Sequence, residues 1–354
     1  MIWYLGSAAL SLSLMALAIT VKDRGRIAQY KVFAVVSALP LMLLSALRLE
    51  VGKDYDAYRR MFAEGWSSAT GDYAWHLLNV IIRFFSSDPG WVFIISSGAV
   101  VGITFYLIYK YAKYPLFSLF LFITSGPYLY SMNVTRQYVA IVLIAGVYYL
   151  FVHSQKAIKV KNKALGLCLM ILSGLFHKIT IASSLLFYFV LKNKIKIRYW
   201  IGAAILLLFA ILCRGHLIDI IGQLDLLVAY SDVESFFAPD FSIVWTGVFS
   251  LMIAGLYFLR KSTKKEILTA LEANTLICLL LLYSLVPLVF GMMFADRIAQ
   301  PLRYMVVFII PTLICAIPEV KLRRLVSLGA VLVFLYIFVA MIHDPQYLPY
   351  RSII

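Results

Sequence analysis

The chain has 354 residues, 63% of them hydrophobic, and a net charge of +15. The mean hydropathy of +0.90 excludes an ordinary soluble fold, because only a lipid-facing surface needs so much apolar area. The basic residues mostly separate apolar stretches, a pattern that membrane topology explains. We therefore predict no nucleic-acid partner.

The apolar stretches are too long for barrel strands, so they predict helices embedded in a lipid bilayer. We expect an all-α polytopic membrane protein with about twelve transmembrane helices. They are placed at 2–20, 32–48, 90–109, 115–131, 134–152, 161–176, 178–192, 199–213, 242–259, 273–294, 299–317 and 325–342. The first stretch has basic residues only after it, unlike a signal peptide, and predicts a permanent helix. The sixth and seventh stretches share a short run, predicting a tight helix pair with its tip at His177.

Basic clusters lie at every second gap between these helices, at 22–31, 110–113, 156–163, 192–198, 260–265 and 321–324. Placing them in the cytoplasm by the positive-inside rule puts both termini on the outer side. Two longer outer segments follow from this topology, 49–89 and the acidic loop 214–240. Within the first, Trp75 to Phe85 is amphipathic and suits a helix at the membrane surface. We expect a single membrane domain over 1–354.

No motif predicts a metal or nucleotide cofactor. The four cysteines each lie within an apolar stretch and have no zinc-type spacing. We find no Gly-rich phosphate loop and no acidic metal cluster.

Four arginines outside the basic clusters lie at the predicted outer ends of helices: Arg48, Arg136, Arg297 and Arg303. Guanidinium groups bind phosphate oxygens in pairs, so several at one face predict an anionic ligand such as a lipid diphosphate. The alternative for Arg48 and Arg136 is an interfacial arginine that reaches a lipid phosphate. For Arg297 and Arg303 it is a surface pair of Asp296 with Arg297 plus one interfacial arginine.

The neighbours of two of these arginines are polar on the same helical face. Asn133 and Gln137 share a face with Arg136, at i, i+3 and i+4. Around Arg303, the residues Asp296 and Gln300 repeat at helical spacing, and Pro301 is expected in the first turn of the eleventh helix.

At these residues the sequence resembles the EpsG-like branch of the Wzy-type O-antigen polymerases. The segment from Arg48 to Tyr58 is similar to R-x-x-x-G-x-D-Y-x-x-Y, with Lys53 where a small Thr is common. The segment 133–137 is similar to N-x-x-R-Q, and 176–178 is similar to F-H-x-[ST], with the hydroxyl displaced to Thr180. Arg297 through Tyr304 is a looser match.

The resemblance implies a metal-independent glycosyltransferase of the bacterial inner membrane with a GT-C-like fold. Such enzymes join oligosaccharide repeat units carried on undecaprenyl diphosphate at the periplasmic face. The partners expected are these lipid-linked oligosaccharides and the lipid bilayer. A chain-length regulator of the Wzz type is compatible with this reading.

The resemblance also suggests roles for the candidate residues. Arg136, Arg297 and Arg303 are assigned to the donor diphosphate, and Arg48 to the diphosphate of the donor or of the acceptor. His177 is our first choice as catalytic base and Asp54 our second. The residues assigned to the sugars and the remaining polar contacts are Tyr55, Tyr58, Tyr304, Asn133 and Gln137.

Three other functions remain open at this point. An O-antigen ligase would have similar topology and arginine chemistry. A transporter or flippase of an anionic lipid-linked sugar would need charges along a path across the bilayer, whereas the helix centres here almost lack them. A structural subunit of a polysaccharide complex would leave the arginines unexplained.

Overall fold

The computed structural model describes residues 1–65, 72–152, 160–190, 197–216 and 242–352, and nearly all of them are helical. The first nine helices are α1 Ile2–Asp23, α2 Ile27–Val36, α3 Leu39–Ala46, α4 Tyr55–Ala63, α5 Tyr73–Phe85, α6 Gly90–Tyr111, α7 Pro115–Thr124, α8 Pro127–Asn133 and α9 Thr135–Val152. They are followed by α10 Val160–Phe176, α11 Thr180–Val190, α12 Ile197–Leu212, α13 Ile243–Thr263, α14 Ala270–Ser284, α15 Val286–Phe290, α16 Met292–Tyr304, α17 Val306–Cys315 and α18 Val320–Ile342. Most of the predicted outer loop 214–240 lies outside the described residues.

Six stretches of the described chain are long and apolar enough to cross a membrane. They are α1, α2 with α3, α6, α13, α14 with α15, and α18. The pair α16 and α17, bent by 53°, makes a seventh if it is counted as one span. Only 11% of the apolar window of α18 is buried inside the protein, as expected for a helix that contacts lipid. The chain is therefore a helical, multi-pass membrane protein.

Glycines in the left-handed region break two of the predicted helices. Gly126, with φ of 108°, separates α7 from α8, where the sequence predicted one helix over 115–131. Gly291, with φ of 79°, separates α15 from α16. Because the chain turns at Gly291, the next helix begins at Met292 rather than at residue 299. The placement of Pro301 in a first helical turn was therefore wrong, since this proline lies inside α16.

The helix pair predicted around His177 is confirmed. α10 has 17 residues and ends at Phe176, and α11 has 11 residues and begins at Thr180. The Thr180 hydroxyl donates to the Ser173 carbonyl at 2.9 Å, which ties the two helices together at the turn.

Two short helices, α4 and α5, lie between the spans α3 and α6, and α5 packs against α10. α4 and α5 pack on the start of α6 through a small aromatic cluster that includes Tyr58, Trp75 and Phe93. The helix predicted over 75–85 is confirmed as α5, and its outward side exposes Leu77 and Phe84. Its location at the membrane surface stays a prediction.

The C-terminal segment runs back to the first third of the chain. Arg48–Leu49 (β1) pairs antiparallel with Arg351–Ser352 (β2). The Gly52 N–H donates to the Gln346 carbonyl at 2.8 Å. The loop between α3 and α4 is therefore held by residues that lie some 300 positions later in the sequence.

Candidate functional site

Asp72 directly precedes α5, and three segments meet at its carboxylate. Oδ2 accepts a hydrogen bond from Nη1 of Arg136, near the start of α9, at 2.5 Å. Oδ1 accepts from the backbone N–H of Lys178 at 3.0 Å. Nδ1 of His177 lies 3.7 Å from Oδ2. Asp72 is only 4% exposed, so these contacts replace the water that an ionised carboxylate needs.

Burial and neighbouring charges shift the pKa values of Asp72 and His177 in opposite directions. Burial would raise the pKa of Asp72, but the His177 contact and the Arg136 charge outweigh it and hold that pKa below its ordinary value. Burial lowers the pKa of His177, and the carboxylate of Asp72 offsets only part of this effect. The imidazole is therefore neutral near pH 7 and able to accept a proton.

Asp54 and Arg297 interact electrostatically with the residues around Asp72. Burial raises the pKa of Asp54, and the nearby charges of Arg136 and Arg297 counteract part of that rise. Arg297 also acts electrostatically on His177. Both residues proposed as the base, Asp54 and His177, are therefore within electrostatic reach of the same two arginines.

The motif that carries Asp54 lies against the motif that carries Arg136. The backbone N–H of Asp54 donates to Oδ1 of Asn133 at 3.1 Å. Gly52 has φ of 99°, and a Cβ at that position would lie 2.5 Å from the carbonyl oxygen of Met132. Only glycine permits this approach, which brings two motifs 79 residues apart into contact.

Gln137 joins α9 to the helix that carries Arg297. Because Pro301 has no N–H, the carbonyl of Arg297 has no partner four residues later in α16. The Nε2 of Gln137, a residue 2% exposed, donates to that carbonyl at 3.1 Å. The proline inside α16 thus creates the acceptor that fixes α16 against α9.

Arg303 belongs to a second group rather than to the first. Its Nη1 lies 2.6 Å from Oδ1 of Asp296 and donates to the Tyr283 hydroxyl at 2.9 Å. Gln300 donates to the other carboxylate oxygen at 2.9 Å. The guanidinium also lies 5.2 Å from the ring centroid of Trp245. The charge of Arg303 is balanced inside the protein, so the expected grouping of Arg136, Arg297 and Arg303 is only partly present.

Arg48 lies in the protein interior, with 1% of its surface exposed. Its guanidinium donates to Ser97 Oγ at 3.3 Å, to Thr135 Oγ1 at 3.1 Å and to the Ser45 carbonyl. It thereby connects the end of α3 to α6 and α9. These contacts give Arg48 a structural role, and its contact with a diphosphate stays a prediction.

The three tyrosines expected at the sugars are also buried: Tyr55 is 4% exposed, Tyr58 3% and Tyr304 2%. The Tyr55 ring stacks on Phe93 at 4.4 Å. The Tyr58 hydroxyl accepts the backbone N–H of Arg136 at 3.4 Å, and the Tyr304 hydroxyl is hydrogen-bonded in the core. Their rings are covered by protein, and of the three only Tyr58 bonds to a residue of the group around Asp72; their contact with a sugar stays a prediction.

Sequence reasoning missed Asp72 and the backbone of Lys178. The only signal at Asp72 is an acidic residue just before an amphipathic helix, which ordinarily indicates an N-cap. Its side chain makes no capping bond to α5 and contacts Arg136 and Lys178 instead. No sequence pattern distinguishes such a carboxylate from a cap, because its partners lie 64 and 106 residues away.

Among the residues that the structure describes, no group of three or more His, Cys, Asp or Glu could hold a metal ion. Comparison with curated proteins and with solved structures gave no match. The EpsG family model matches residues 31–352, which include both motifs that meet at Asp54 and the turn at His177. The chain therefore belongs to the EpsG family.

Proposed function

We propose that the protein is a polysaccharide polymerase that joins oligosaccharide repeat units carried on undecaprenyl diphosphate. The observation that carries this proposal is the gathering of Arg136 and Arg297 around the neutral imidazole of His177 and the carboxylates of Asp54 and Asp72. Cations beside a base suit a reaction in which a hydroxyl loses a proton while a phosphate group gains negative charge. Membership of the EpsG family supports the same class of reaction.

The reaction proposed is a glycosyl transfer without a metal ion. The acceptor hydroxyl attacks the anomeric carbon of the donor sugar, its proton passes to the base, and the new glycosidic bond forms. The bond between the anomeric carbon and the diphosphate oxygen breaks, and its electron pair leaves with the lipid diphosphate. Arg136 and Arg297 stabilise that developing charge. His177 is the base that we favour, and Asp54 remains the alternative.

We further propose that the site faces the periplasm of a bacterial inner membrane. Arg136 lies near the start of α9 and His177 at the end of α10, whereas the chain between these helices, 153–159, contains part of a basic cluster. The positive-inside rule puts that cluster in the cytoplasm and the site on the other side. The shorter apolar helices would then join the long spans in a GT-C-like arrangement of about twelve crossings.

The test is the polymer ladder of a deletion strain that carries single variants. Arg136→Ala should abolish chain extension, and Arg136→Lys should also be impaired, because a point charge does not replace the planar guanidinium. Arg60→Ala is the matched control, since Arg60 is an exposed arginine of α4 in the same outer segment. A normal ladder from Arg136→Ala at a normal protein level would reject the assignment.

The same strain separates the polymerase from the related ligase. Loss of a polymerase leaves a single repeat unit, and loss of a ligase leaves a core without repeats. Purified protein that lengthens lipid-linked chains in detergent, without an ion gradient, would exclude transport as its main activity.

A further inference from the structure

The reaction proposed above gives no step to the buried carboxylate of Asp72. A buried carboxylate is costly unless charges and hydrogen bonds compensate it. Asp72 is compensated by Arg136, by the Lys178 N–H and by its proximity to His177, and by none of the backbone N–H groups of the helix it precedes. The neighbours of the Asp72 carboxylate are therefore Arg136 and His177, to which the chemistry is assigned, and the backbone N–H of Lys178, which follows His177.

The two carboxylate oxygens have different partners. Oδ1 is held by the Lys178 N–H, which directly follows His177 in the chain, so the position of the carboxylate relative to the imidazole is set by the backbone. Oδ2 bonds to Arg136 and lies 3.7 Å from Nδ1 of His177. Oδ2 is therefore bonded to Arg136, and the imidazole of His177 lies next to the same oxygen atom but just beyond hydrogen-bond distance.

We propose that Asp72 is a positioning residue that directs Nδ1–H of His177 toward its carboxylate and so keeps Nε2 as the proton acceptor. This inference rests on the proposed function. Without such a partner, the proton of a neutral imidazole can occupy either nitrogen, and only one tautomer is a base toward the acceptor hydroxyl. Asp72 also restrains Arg136 until the donor diphosphate competes for the guanidinium. As Arg136 turns to the diphosphate, Oδ2 becomes fully available to His177.

The charges that act most strongly on His177 are those of Asp72 before α5, Arg136 on α9 and Arg297 on α16. The carboxylate favours the protonated imidazole, and the two arginines disfavour it. Removing the Asp72 charge therefore lowers the pKa of His177. The acidic limb of the rate profile, where the base becomes protonated, should move to lower pH.

The test is Asp72→Asn in purified protein, assayed with a lipid-linked oligosaccharide as both donor and acceptor. We expect kcat to fall by about 100-fold, the scale of general base catalysis. The donor KM should stay equal or fall, because Arg136 no longer bonds to a carboxylate. Asp88→Asn is the matched control, since the Asp88 carboxylate is exposed and accepts from the backbone N–H of Gly90 at the start of α6.

Asp72→Glu keeps the charge and serves as the second variant if the asparagine protein does not accumulate. It should have a lower kcat and an acidic limb at the wild-type pH. An unshifted limb in Asp72→Asn, a shifted limb in Asp72→Glu, or an Asp72→Asn protein with wild-type kcat would each overturn the positioning role. If Asp72→Asn is unaffected while Arg136→Ala is inactive, only the role of Asp72 fails. If the wild-type protein does not lengthen lipid-linked chains, the proposed function fails.

Discussion

Replacing Arg48 with alanine tests whether this arginine has a structural role or binds the ligand. The side chain donates to the carbonyl of Ser45, which lies in the last turn of α3, and to the hydroxyls of Ser97 and Thr135. Burial lowers the pKa of Arg48 to about 10, so the guanidinium remains charged at neutral pH. The substitution removes a charged link between three helices.

The magnitude follows from what each acceptor loses. Thr135 keeps another partner, since its hydroxyl also donates to the Ser131 carbonyl at 3.1 Å. The Ser45 carbonyl and the Ser97 hydroxyl each lose a charged donor, at about 1–3 kcal/mol for a buried group. Alanine also removes the free-energy cost of burying the charged guanidinium, and this gain offsets part of the loss. We expect a net destabilisation of about 3 kcal/mol, a fall in Tm of roughly 4 °C for a chain of this length.

Thermal unfolding in detergent, followed by circular dichroism, measures this change. Ser97→Ala, which removes one acceptor and leaves Arg48 in place, should lower the Tm by less than half as much. If Arg48→Ala instead keeps the wild-type Tm and raises the donor KM, Arg48 binds the ligand and the structural account is wrong.

Two further predictions concern the second arginine group and the pH dependence of the rate. Asp296→Asn leaves the guanidinium of Arg303 without its counter-charge and should cost about 3 kcal/mol, measured by thermal unfolding in detergent. The midpoint of the acidic limb of the wild-type rate should lie below pH 6.5, because burial lowers the pKa of His177 from its ordinary value of 6.5 and the base is lost as pH falls through that pKa.

Each of these outcomes has a clear contrary result. Arg303→Gln combined with Asp296→Asn should regain part of the stability, and a double variant less stable than the single would argue against charge pairing. An acidic limb with its midpoint above pH 6.5 would contradict a lowered pKa of His177. If His177→Ala keeps both the rate and its acidic limb, Asp54 becomes the base.

Much of the helical framework follows from hydropathy, because a lipid-facing helix must be apolar along its length. The turn at His177 was predicted correctly, since two basic clusters placed on one side require the chain to reverse between them. The breaks at Gly126 and Gly291 were not predicted. Hydropathy reports how apolar a stretch is, and it does not report where a single residue takes a positive φ.

The candidate site was predicted in part. The residues Arg136, Arg297, His177 and Asp54 are brought into one electrostatic group, although they come from four separate segments. The burial of Arg48 and the separation of Arg303 were missed, because an arginine at a helix end has the same sequence signature whether it contacts a ligand or a buried carboxylate. Asp72 was missed for the related reason that its partners are defined by tertiary packing alone.

The pairing of β1 with β2 has a consequence for the order in which the protein matures. A membrane protein enters the bilayer as it is synthesised, so α1 to α6 are in place long before residues 344–352 leave the ribosome. The loop from Arg48 to Asp54 gains its bonds to Gln346 and Arg351 only after that. Until then the loop lacks its final support, so the segment that carries Asp54 is completed among the last steps of assembly.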